Sequence, residues 1–213
     1  MELTNIIASF YPEMKRRVIL CAHWDTQPFA DKDPDPRNRS QPILGANDGA
    51  SGVALLLEMA SLLPAKKPHL GVDIVFFDAE DYGTDERPDM YCLGSQFFSR
   101  NLGGYRPEFG ILVDLIADKN LELYREGYSD RYAKEIVDLI WNRAKELNFK
   151  SFRDSVKHWV LDDHIPLLRA GIPCIDIIDL DYPYWDTLED TPDKCSPQSL
   201  KEVGEVILKI LYE

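Results

Sequence analysis

Acidic residues collect in this chain at a few places where apolar runs end. His23-Trp24-Asp25 closes one run, Asp78-Ala79-Glu80-Asp81 follows a second, Asp114 and Asp118 follow a third, and Asp176 and Asp179 lie at the end of a fourth. Asp48 joins them from a Gly45-Ala46-Asn47-Asp48-Gly49 turn. Each feature alone is ordinary surface chemistry. Brought to one edge, they crowd like charges into one crevice, which calls for a bound cation or for carboxyl groups with raised pKa values. A metal ion is the simpler solution.

Parallel strands would bring them together, because ligands of open α/β sheets bind outside the carboxyl ends of the strands. Strands are predicted at Arg17–His23, Val72–Asp78, Phe109–Leu115 and Ile172–Ile178. All four are continuous runs such as V-I-L-C-A and D-I-V-F-F, the composition of strands buried on both faces. Helices are predicted at Gly49–Leu63, with Asp48 as its N-cap, and at Ser95–Asn101, Asp130–Leu147 and Pro197–Leu211. Ile136, Ile140, Ala144 and Leu147 lay one apolar stripe of the third helix on the sheet. The alternation reads as α/β, a three-layer sandwich in which a central, mostly parallel twisted sheet is flanked by helices. One domain over 1–213 is the economical count. The first predicted strand starts so early that little room is left for sheet-edge strands upstream. The polar stretches Gln27–Gln41, Gly83–Asp89, Asp118–Ser129 and Asp179–Pro197 are long enough to expect function in them.

Composition narrows the function classes. A chain of 213 residues with 45% hydrophobic content can bury one sizeable core. Its 37 Asp and Glu against 24 Lys and Arg give a net charge of −13, which argues against nucleic acid or an anionic membrane surface as partner. A basic partner or a cationic substrate end fits better. The apolar runs are too short to span a bilayer, and the N-terminus carries no signal-like pattern. Cys21, Cys92, Cys174 and Cys195 form no C-x-x-C pair, so neither a zinc knuckle nor a dithiol redox motif is present.

Four segments, His23-Trp24-Asp25, G-A-N-D-G-A-S-G at Gly45–Gly52, F-F-D-A-E-D at Phe76–Asp81 and L-V-D-L-I at Leu112–Ile116, resemble the metal-site motifs of the zinc-dependent aminopeptidase-type exopeptidases. L-D-D-H-I-P-L-L-R-A-G-I-P at Leu161–Pro173 and Y-W-D-T-L-E-D-T at Tyr184–Thr191 narrow the resemblance to the glutaminyl cyclases, from about Asn5 to the C-terminus. The resemblance implies a zinc exopeptidase-like fold, one zinc ion on Asp48, Asp81 and Asp186, and Glu80 as general acid/base. It further implies Asp114 and Asp162 as acids near the catalytic centre, and Trp185, with Trp24 beside the crevice, as substrate-lining aromatics. Two departures stand out: Asp81 where the family commonly has Glu, and Asp186 where it has His in a W-H-T pattern. Three aspartates make a harder site than zinc usually chooses. Relatives are usually longer at the N-terminus and often exported, so a short or truncated homologue and a periplasmic or secreted location are the expectations.

The implied reaction closes an N-terminal glutamine of a peptide into pyroglutamate, with the α-amine attacking the side-chain amide and ammonia leaving. Two rivals use the same residues. A two-metal aminopeptidase would place His23 and Asp114 on a second ion with Asp48 bridging; a non-catalytic homologue would carry Asp186 as the mark of a degraded site. The residues alone also allow Glu80 as a helix-start carboxylate, one of Asp162 and Asp163 as an N-cap, and Trp185 and Trp24 as packing residues. His69 and His158 have no evident ligand partners, and His164 is read as a structural hydrogen-bonding residue.

Overall fold

A computed structural model describes residues 2–84 and 86–213; Met1, and Asp85 within the stretch Gly83–Asp89, lie outside the described residues. Five strands, β1 (Ile6–Phe10), β2 (Arg17–His23), β3 (Gly71–Phe77), β4 (Phe109–Asp114) and β7 (Cys174–Ile178), form the main sheet in the order β1-β3-β2-β4-β7. β1 is antiparallel to β3, and every other pairing is parallel. A second small sheet pairs β5 (Leu123–Arg125) with β6 (Phe152–Val156). The strand after β2 pairs on one side of it and the next pairs on the other, so the chain reverses its winding at β2 and opens a crevice there.

Side-chain alternation along β2 separates the two helical layers. Val18, Leu20 and Ala22 pack with residues of α1 (Ala50–Leu62), α4 (Lys134–Glu146) and α6 (Pro197–Tyr212), while Ile19 and Cys21 pack with Phe98 of α2 (Leu93–Arg100) and Leu167 of α5 (His164–Arg169). Each fully buried Ile, Leu or Phe contributes roughly 1.5–3 kcal/mol over an exposed one. Both faces are therefore apolar, which is why the parallel strands read as unbroken runs. Gly52 lets α1 lie close on the sheet, since a Cβ there would meet the Val113 carbonyl oxygen at 2.4 Å.

Three expectations change. β1 is an upstream sheet edge for which the sequence reading left little room; Ile6 to Ser9 are exposed, so no buried stripe announced the strand. The helix expected over Asp130–Leu147 is two, α3 (Gly127–Tyr132) and α4, with Ala133 at φ −136° between them. The first starts early because the Glu126 carboxylate accepts from the N–H groups of Tyr128 and Ser129. Asp48 does not cap α1. The N-cap is Gly49 at φ +81°, a conformation that favours glycine, and no side chain closes the helix start.

Candidate metal centre

Freed from capping, Asp48 turns into the crevice. Its turn is held from the far end of the chain: Asp190 accepts from the backbone N–H groups of Asn47 and Asp48 at 2.9 and 3.1 Å, and itself receives the Tyr182 hydroxyl at 2.8 Å. Asp81 arrives on the loop after β3. There Asp25 accepts from the backbone N–H groups of Glu80 and Asp81 at 3.1 Å each, and the start of α2 donates its Cys92, Leu93 and Gly94 N–H groups to the carbonyls of Glu80, Ala79 and Asp78. Asp186 comes from the long loop after β7. One oxygen each from Asp48, Asp81 and Asp186 lies within 4.8 Å of the others, and all three residues are buried.

A second group shares Asp48. His23, at the tip of β2, points Nε2 at Asp48 Oδ1 (3.2 Å) and Asp114 Oδ1 (3.1 Å). Asp114 Oδ1 also receives the N–H of Leu115 at 2.8 Å. Across the cleft, Glu80 Oε1 accepts a hydrogen bond from the Cys92 thiol at 3.3 Å, and one oxygen of Asp162 lies within 4.8 Å of both groups. Ala79, Leu115 and Asp186 hold φ at 56°, 51° and 54°. For non-glycine residues this left-handed backbone is strained, and its concentration beside the converging acids marks a functional site.

The carboxylates of both groups, with Glu80 and Asp162, line a cleft of about 500 Å³. Trp185, Leu180, Ile178, Leu161 and Trp159 give it apolar walls, while Glu80, Asp81, Asp114, Asp162 and Asp186 put acids inside. A larger cleft of about 740 Å³, bordered by Lys119, Asn148 and Glu202, takes Asp118 and Asp179, two of the acids expected at the crevice, and holds none of Asp48, Glu80, Asp81, Asp114, Asp162 and Asp186. Trp24 is not brought to the site: its ring is 43% exposed, its indole N–H donates to the Thr4 carbonyl at 3.1 Å, and it does not border the cleft. His164 is wholly buried, with Nε2 3.2 Å from Glu126 and Nδ1 3.8 Å from Asp176. Sequence reasoning counted Asp25 among the converging acids without giving it a role, and missed Asp190 and Lys32 as parts of the site. Asp25 alone had a signal, its place in H-W-D.

The charge distribution calls for a cation. Burial pushes the Glu80 carboxyl well above its ordinary value, and the charges of Asp81 and Asp162 push it further. Burial and Asp48 raise Asp81 likewise. Burial lifts Asp48 to about 7 against the hydrogen bond from His23, and lifts Asp162 to about 6. Burial alone would lower His23; its charge and hydrogen-bond pairing with Asp114 hold it well above the usual imidazole value instead. Two buried oxygens, Asp81 Oδ2 and Asp186 Oδ1, have no hydrogen-bond partner. Orphaned carboxylate oxygens of this kind fit a divalent cation. The all-oxygen set Asp48, Asp81 and Asp186 accommodates zinc, which takes carboxylate ligands, and favours harder ions more than a histidine-containing set does.

Comparison with known proteins gives the following. The sequence profile of peptidase family M28 matches residues 5–211. A glutaminyl-peptide cyclotransferase of Gloydius blomhoffii is 26% identical over 246 residues, covering 99% of this chain and 65% of that protein. The solved glutaminyl cyclase of Bacteroides thetaiotaomicron bound to N-acetylhistamine is 44% identical, with a TM-score of 0.95, over 99% of this chain and 77% of that one. A Zn-dependent exopeptidase from Parabacteroides distasonis is 41% identical, with a TM-score of 0.96, over 100% of this chain and 78% of that one. The chain thus spans 65% of the length of the curated relatives it matches first.

Proposed function

The chain belongs to peptidase family M28, and from that premise we propose that it is a glutaminyl-peptide cyclotransferase, acting on peptides with an N-terminal glutamine. The observation that carries this reading is the cleft itself. Glu80 and Asp162 face three convergent carboxylates inside apolar walls, in a chain 44% identical to a solved glutaminyl cyclase.

Asp48, Asp81 and Asp186 would hold the metal. When bound, a zinc-type ion supplies Lewis acidity toward the γ-carbonyl oxygen of glutamine. The protein has little entropy left to remove, because nucleophile and electrophile belong to one residue. Its remaining work is proton transfer and orientation. The α-amine nitrogen attacks the γ-amide carbon, and Glu80 takes the proton that nitrogen must lose. Glu80 then returns it to the amide nitrogen as the C–N bond breaks and ammonia leaves. Burial beside Asp81 and Asp162 raises the Glu80 carboxyl, the direction in which a carboxylate becomes a better proton acceptor. Asp114 and Asp162 accept hydrogen bonds from the substrate nitrogens, and their charge favours the cationic end of the peptide. Trp185 walls the glutamine side chain against water.

One observation favours a second reading. His23, Asp48 and Asp114 form a possible ligand group that shares Asp48 with the first, as a two-metal aminopeptidase requires. Incubating the purified chain with a Gln-peptide, while counting bound metal, separates the two. Cyclisation releases ammonia with one ion per chain, and a chelator abolishes it until zinc is returned. Release of free glutamine with two ions per chain would replace the proposal by the second reading.

A further inference from the structure

Among the described residues, Lys32 is the one lysine or arginine that lines the cleft. Its Nζ lies 2.5 Å from Asp186 Oδ2 and 3.0 Å from the centre of the Trp185 ring, and its backbone N–H donates to the Asp186 carbonyl at 3.2 Å. Two loops 154 residues apart are thereby tied at one point. Asp186 is 2% exposed, and its other oxygen, Oδ1, is the one left buried without a partner. Lys32 thus takes Oδ2 and leaves Oδ1 free, in a residue one of whose carboxylate oxygens lies within 4.8 Å of oxygens of Asp48 and Asp81.

We infer that Lys32 is a built-in counter-ion of the metal centre, which holds Asp186 as a one-oxygen ligand and sets how tightly the site binds a divalent cation. The inference rests on the metal reading of the three aspartates, and holds whichever reaction the site performs. Two carboxylates and a neutral third ligand balance a divalent ion; three carboxylates leave one negative charge over, and the ammonium of Lys32 cancels it. Lys32 therefore makes the Lys32–Asp186 pair equivalent in charge to a neutral ligand. It also opposes an incoming cation, both by repulsion across one carboxylate and by stabilising the metal-free state. Both effects loosen binding, because affinity at oxygen sites follows ligand charge count. The single oriented hydrogen bond to Asp186 acts the other way and is the smaller term. Lys32 is a positioning and tuning residue and touches no reacting atom in this scheme.

The test is a competition titration of Zn²⁺, and separately of Mn²⁺, between a chromophoric chelator and the full chain, with thermal melts of the metal-free proteins alongside. Lys32→Met is expected to bind the ion at least about tenfold tighter and to melt lower when metal-free, because Asp186 loses the ammonium paired with it. Lys32→Arg is expected to stay close to the parent in both. In an Asp186→His background, where the surplus charge is gone, Lys32→Met is expected to change affinity little. Unchanged or weaker binding by Lys32→Met, or an equal effect in the Asp186→His background, overturns the role of Lys32. Failure of parent and variants alike to bind either ion overturns the metal reading itself, and the two failures are told apart without any turnover.

Discussion

The Glu126 carboxylate and the His164 imidazole stand 3.2 Å apart, and neither side chain has any exposed surface. Glu126 also accepts from the N–H groups of Tyr128, Ser129 and Val160 and from the Ser129 hydroxyl. Burial would raise its pKa, but the hydrogen bond and charge of His164, with the backbone donors, outweigh it and lower the group to about 2. The pair joins the start of α3 to the D-D-H segment that carries Asp162, so it supports the cleft from behind.

A carboxyl group lowered on folding stabilises fully above its unfolded value, near 4.5, and that stabilisation is lost as pH falls through about 2. Glu126→Gln is expected to cost about 3 kcal/mol at pH 7. The gap between parent and variant in urea unfolding should narrow between pH 4.5 and 2. A gap that is constant with pH would show that Glu126 acts through packing alone.

Glu80→Gln keeps the shape of the side chain and removes its proton transfer. The expected result is a fall in kcat of about 10²–10⁴-fold with KM little changed, measured by ammonia release from a Gln-peptide. A comparable loss in KM alone would move Glu80 from chemistry to binding.

Asp25→Ala is expected to lower kcat and bound metal together. Asp25 receives the N–H groups of Glu80, the proposed base, and of Asp81, the proposed ligand, so its removal frees both residues at once. Leaving those donors unpaired costs about 1–3 kcal/mol. Metal content by elemental analysis that stays at the parent level while kcat falls would limit the role of Asp25 to Glu80.

Two tryptophans separate cleft from surface. Trp185→Ala should raise KM about tenfold, the loss of about 1.4 kcal/mol of contact, while Trp24→Phe should leave kcat and KM near parent values. An effect of Trp24→Phe as large as that of Trp185→Ala would contradict the placement of its indole against Thr4.

The buried parallel strands were legible because burial on both faces leaves an unbroken apolar signature; β2 spans Arg17–His23 as read, and β3, β4 and β7 differ by one or two residues at their ends. Asp48, Glu80, Asp81, Asp114, Asp162 and Asp186 all border the cleft, because strand ends and the D-D-H and W-D-T segments sit at the same edge of the sheet. The rest depended on partners far away in the chain. Nothing local tells that Asp190 will hold the Asp48 turn or that Lys32 will meet Asp186, 154 residues on. Asp48 was misread as a cap because Asp before an apolar helix is the usual capping signature, and here the side chain has another use. Trp24 lies one residue past the end of β2, where its indole turns to the Thr4 carbonyl, a partner twenty residues away that adjacency to His23 does not announce.

The centre is assembled from two kinds of support. His23 and Asp114 close β2 and β4, inside the hydrogen-bonded sheet, and Asp81 sits on the loop that β3 runs into, whereas Asp186 and Lys32 meet between two irregular loops. A substitution at a strand tip must keep faith with the whole sheet, while an exchange in the loops need only find one new local partner. Within the proposed ligand set, position 186 is therefore the one where an exchange disturbs the fold least and leaves the Glu80 side of the cleft as it was.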